Sequence, residues 1–143
     1  MTRIGTGIVT AAVILSALAG CKSKAKEMST YPYFIKMMDS RWDFARNSLG
    51  SAEPDVSFCP VLLKDLDGIV EAVEATYHRS NKQQLIDKVK DIARSFRADL
   101  DPQVDMRYGH VTLKPGATAE DVSKSVETAY QKYLEFRKMV KLE

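Results

Sequence analysis

Two thiols, two imidazoles and a few clustered carboxylates are the groups in this 143-residue chain whose types suit chemistry. A nucleophilic cysteine needs an imidazole base within hydrogen-bond reach. Cys59 lies between Phe58 and Pro60 at an expected helix start, where the helix dipole favours a thiolate. His78 stands about five turns along the same helix, about 30 Å away, and cannot serve it. His110 could approach only through the fold. Cys59 therefore reads as a small buried hydrophobe, with a disulfide joining two copies as the alternative. His78, His110 and Met106 are potential metal or haem ligands, but no third ligand stands at a fixed spacing and no Cys-x-x-Cys-His segment exists. Asp65 with Asp67, or Asp99 with Asp101 and Asp105, suggest calcium. The second set lacks the glycine and closing glutamate of an EF-hand loop, and Pro102 interrupts it. No metal or other cofactor is expected. Tyr77, Tyr108, Tyr130 and Tyr133 offer aromatic faces that a glycan or peptide groove would use. A Gly-rich phosphate loop, a Gly-x-Ser-x-Gly elbow and a His-Glu-x-x-His helix are all missing. With no base, nucleophile and stabiliser to assemble, the chain is expected not to be an enzyme.

The elements that must position these groups are mostly helical. Phe34, Met38, Trp42, Ala45 and Leu49 recur at three and four residues, one face of a helix between Pro32 and Gly50. A second helix from about Pro60 carries Leu62, Leu66, Ile69, Val73 and Tyr77, with Val70 widening the stripe. His78–Asn81 reads as a break, and Ser80 with Gln83 has the spacing of a capping box. The third helix turns Leu85, Val89, Ile92, Phe96 and Leu100 inward, and its other face alternates Asp87, Lys90, Asp91, Arg94 and Arg97. One continuous helix over 60–100 is the alternative. Asp101-Pro102 ends this run. The stretch 104–113 alternates around Gly109 and reads as an extended segment or short β element. Thr118 and Asp121 then cap a last helix, whose stripe is Val122, Val126, Ala129, Tyr133 and Val140. Arg137 interrupts that stripe near the C-terminus, where a cation suits the dipole. The expected fold is all-α or nearly so, a small bundle of about four helices. At 45% apolar and 28% charged the composition is that of a globular domain, and a net charge of +2 argues against a nucleic-acid binder.

The N-terminus carries an address. One arginine, Arg3, precedes a nearly uncharged run from Ile4 to Ala19, short for a membrane span but right for a signal peptide. The run ends Leu18-Ala19-Gly20-Cys21, which resembles the lipobox of bacterial lipoproteins. That resemblance implies cleavage between Gly20 and Cys21, and a diacylglycerol with a further fatty acid on Cys21. An uncleaved helical anchor is the alternative. Residues 1–20 are then a signal peptide, 21–30 an acylated tether bearing Lys22, Lys24 and Lys26, and 31–143 the helical domain. No family is recognised for that domain. Lys22 is not the aspartate of the best-known inner-membrane retention rule, so a host with two membranes would carry the protein on the outer one.

Anchoring fixes a domain in two dimensions and raises its effective concentration beside envelope partners. The expected function is therefore a non-enzymatic binding or adaptor lipoprotein of the cell envelope, held by membrane lipid through Cys21. It would meet a protein partner in the periplasm or on the extracytoplasmic side. The alternative is a glycan- or small-ligand-binding domain with a tyrosine-lined groove.

Overall fold

Apolar residues recurring every three to four positions wrap four helices around one core. The computed structural model describes residues 32–77 and 82–140; residues 1–20, Cys21 and its tether, and His78–Asn81 lie outside them. Helix α1 occupies 32–49, α2 Cys59–Tyr77, α3 Gln83–Leu100 and α4 Ala119–Met139. Two residues each of β1 (Val104–Asp105) and β2 (Thr112–Leu113) pair antiparallel, with a 3-10 turn over Arg107–Gly109 between them.

Local chemistry explains most of these boundaries. Gly50 follows α1 and donates its N–H to the Arg46 carbonyl at 3.0 Å. Asp55 Oδ1 accepts from the Ser57 N–H at 2.8 Å, turning the chain into α2 one residue earlier than Pro60. The Thr118 hydroxyl accepts from the Asp121 N–H at 3.2 Å and the Asp121 carboxylate accepts from the Thr118 N–H at 3.0 Å, a complete capping box. At α3, Ser80 of the expected box lies outside the described residues. Lys82 is the N-cap, without a side-chain cap, and the Gln83 amide donates to Asp87 at 2.9 Å. The segment 60–100 is two helices rather than one, since Lys82, with φ −105° and ψ 33°, is not helical.

Cross-helix pairs establish the order around the bundle. Arg41 meets Asp65 at 2.7 Å and Phe34 covers Gly68, so α1 and α2 run antiparallel. Arg97–Asp67 and Lys90–Glu74 do the same for α2 and α3, and Lys88–Glu135 with Lys132–Asp91 for α3 and α4. Arg46–Glu127 and Arg137–Asp39 close the ring between α4 and α1. Each helix is antiparallel to both neighbours, which is up-down-up-down connectivity. The α1 start, the α2 end, the α3 start and the α4 end share one end of the bundle; the hairpin caps the other.

The core is continuous from Ile35 to Val140 and is dominated by Trp42, Tyr133, Phe96 and Phe136. Every member of the α3 stripe is buried, and so are Met38, Trp42, Ala45 and Leu49 of α1. The α1–α2 contact depends on a missing side chain: a Cβ on Gly68 would lie 3.0 Å from Phe34 Cε1. Gly68→Leu is expected to cost about 1–3 kcal/mol by overpacking. Gly68→Ala sets about 1 kcal/mol of helix propensity against a small shift of that ring, and lands near neutral. Urea midpoints read both variants. A Gly68→Leu protein as stable as wild type would mean that the helices are not held together here.

Candidate functional site

Cys59 opens α2 with no solvent exposure. Burial, and next the nearby negative charge of Asp55, push its thiol from 9.0 up to about 12. The helix dipole does not prevail, because desolvation penalises the thiolate more. A thiol so placed is neither a ready nucleophile nor within reach of a second copy, so the geometry favours the packing role over the disulfide dimer. In a Cys21→Ser chain Cys59 is the remaining cysteine. The rise from 9.0 to about 12 leaves it almost wholly protonated at neutral pH. Thiol reagents are therefore expected to modify it in urea and hardly at all in the native protein. Rapid native labelling would show that the α2 start opens.

The other expected chemistry disperses. His110 is exposed beyond the 3-10 turn, Met106 packs against the core, and His78 lies outside the described residues. Among the described residues no three His, Cys, Asp or Glu side chains stand close enough to hold a metal ion. Asp65 pairs with Arg41 and Asp67 with Arg97. Asp105 accepts two-pronged hydrogen bonds from Arg107, which hold its carboxyl down at about 2.

The three of these tyrosines whose side chains are described do not form one groove. Tyr133 is 1% exposed, and its hydroxyl donates to Asp39 Oδ1 at 2.6 Å and the Ile35 carbonyl at 3.2 Å. It belongs to the core because it continues the α4 stripe, and its hydroxyl finds partners there as a buried phenol must. Tyr130 is half-buried against Trp42, centroids 5.9 Å apart, with the Arg46 guanidinium 4.6 Å above its ring. Tyr77 is half-buried at the far end of α2, under the Lys82 ammonium at 5.0 Å. The Tyr108 side chain lies outside the described ones.

Three clefts among the described residues bear on a binding site, and no tyrosine lines these three. One, of about 510 Å³, lies between α1 and α4 among Asp43, Arg46, Asn47 and Glu127. A second, of about 620 Å³ and open, lies between α2 and α3. Val70, Ala93 and Ala98 line it together with Lys90, Arg94 and Arg97. The third, about 180 Å³, is bounded by Phe44, Phe58, Val61 and Leu62, with Arg41 and Ser57 beside them.

On the charged face of α3, Asp91 and Arg94 pair within the helix, whereas Lys90 and Arg97 reach across to Glu74 and Asp67 of α2. Neighbouring helices simply bring carboxylates closer than the helix itself does. Arg137 likewise grips Asp39 at 3.1 Å rather than only its own helix end. The exposed Phe44 and Val61 were not legible as a pair, although Phe44, two residues past Trp42, stands off the α1 stripe. No family model, curated protein or solved structure matches this chain. No helix among the described residues is long and apolar enough to cross a membrane.

Proposed function

We propose that this protein is a bacterial envelope lipoprotein, held on a bilayer by acylated Cys21, whose bundle binds a protein partner and performs no catalysis. The observation that carries the binding reading is the α2–α3 cleft. Its apolar side chains Val70, Ala93 and Ala98 stand among Lys90, Arg94 and Arg97. Apolar centre and polar rim are the anatomy of a protein–protein contact. The rim cations are held by Glu74, Asp91 and Asp67, exposed pairs that cost little to exchange for a partner's carboxylates. The rival reading, a tyrosine-lined groove for a glycan or small ligand, is weakened by Tyr133 lying in the core.

Crosslinking in the native envelope, with recovery through the tagged protein, tests the reading. One partner in near-equal amount is expected. Its yield should fall about tenfold when Arg94→Glu and Arg97→Glu reverse the rim, as loss of two interfacial charges implies. The same yield from that double variant would remove the cleft from the proposal. Nothing above background, from protein shown to be folded and acylated, would overturn the adaptor reading itself.

A further inference from the structure

Among the described residues the exposed large apolar side chains are Tyr33, Phe44, Val61, Leu113 and Met139. The first three share an edge. At about 100° per residue, Tyr33, Met37 and Phe44 fall within about 40° of one another on α1. Arg41 and Phe34, which reach Asp65 and Gly68, place that stripe on the α2 side of the helix. The cleft that Phe44 and Val61 bound together joins α2 to it. Tyr33 is 63%, Phe44 56% and Val61 44% exposed, while the core face of α1 is Ile35, Met38, Trp42, Ala45 and Leu49. The bundle is complete without this edge.

We propose that the edge formed by Tyr33, Met37, Phe44 and Val61 rests in the head-group region of the bilayer that anchors Cys21, laying α1 along the membrane. This inference rests on the anchor reading above. The chain from Cys21 to residue 32 extends at most about 40 Å at 3.3–3.6 Å per residue. From residue 32 to Phe44, α1 rises only about 18 Å. The edge thus begins beside the first described residue and runs along an element that this length of chain keeps within reach of lipid. Aromatic side chains with a polar tip or flank favour that depth, and lysine stems reach past it to the phosphates. Lys36 and Lys64 are exposed on either side of the edge, and Asp65 is already held by Arg41 at 2.7 Å.

A second copy of the chain is a poorer occupant. Stable protein interfaces bury about 1,200–2,000 Å², and a few part-exposed side chains supply only a few hundred. A bilayer needs no such area, because acylation makes the contact intramolecular in effect. With this edge down, α3 lies diagonally opposite α1 and faces the aqueous compartment.

The test places the photoreactive residue benzoylphenylalanine at position 33, 44 or 94 of the full chain in its native envelope. Adducts are identified by mass, and the Cys21 peptide is read from the same sample. Lipid adducts at 33 and 44, at least about tenfold above those at 94, are expected of a helix lying in the interface. Protein adducts at 44 in place of lipid, whether to a second copy or another chain, would overturn the proposal. So would equal lipid yields at all three positions. Acylated Cys21 with no lipid at 44 removes the resting edge and leaves the anchor standing; unmodified Cys21 removes both.

Discussion

Trp42→Ala is expected to cost about 3–5 kcal/mol, the range for truncating a buried large aromatic side chain. Trp42 has no exposed surface. Its ring stands 5.7–5.9 Å from those of Phe96, Tyr130 and Tyr133, so one side chain ties α1 to both α3 and α4. Domains of this size are stable by about 5–15 kcal/mol, so the variant would lose much of its margin. Trp42→Phe is the informative contrast. The indole Nε1 is buried with no hydrogen-bond partner among the described residues. Phenylalanine therefore removes an unsatisfied donor as well as some volume, and the two changes oppose one another. It is expected to cost less than about 2 kcal/mol. Urea unfolding followed by helical circular dichroism measures both variants. Equal losses for alanine and phenylalanine would show that the indole nitrogen is partnered after all.

Why Trp42 was legible and its consequences were not follows from what periodicity contains. Steps of three and four say which face of a helix is apolar, and Met38, Trp42, Ala45 and Leu49 all point inward as that rule requires. The same rule placed Tyr133 on the α4 stripe, so a core position was the better reading of that tyrosine from the start. Periodicity does not say which helix lies opposite. The Asp39 carboxylate that holds both Tyr133 and Arg137 is more than ninety residues away, and only the closed ring of four helices brings it there. Arg137 alone looked like a cation answering a helix dipole.

Caps are legible where both partners lie within one turn: Thr118 and Asp121 cap α4 as expected, and do so as a reciprocal box. The candidate surfaces were least legible of all. Lys90, Arg94 and Arg97 belong to a face of alternating charge in the sequence, and only the approach of α2 turns them into the wall of a cleft. Phe44 carried a signal in being off phase, but its neighbour Val61 belongs to another helix.

Cys21→Ser is expected to abolish acylation, the largest change that any one substitution in this chain should produce. Each acyl methylene contributes about 0.8 kcal/mol of membrane binding; one chain holds only marginally, and two or three hold almost permanently. The exposed edge of α1 and α2 is too small to replace them. In the lipoprotein class that residues 18–21 resemble, lipid transfer to the cysteine sulfur precedes cleavage. A hydroxyl is a far weaker nucleophile than a thiolate, so the serine variant should neither take up lipid nor lose residues 1–20. Metabolic labelling with a fatty acid should therefore fall to background, and the chain should keep the mass of its N-terminal segment. An uncleaved helical anchor predicts something different: no label in the wild type, residues 1–20 present in both proteins, and no response to the substitution. Mass spectrometry of the N-terminal peptide separates the two outcomes. A wild-type chain beginning at Met1 with a free thiol at Cys21 would sink the lipoprotein reading, while the four-helix bundle, which depends on none of these residues, would stand.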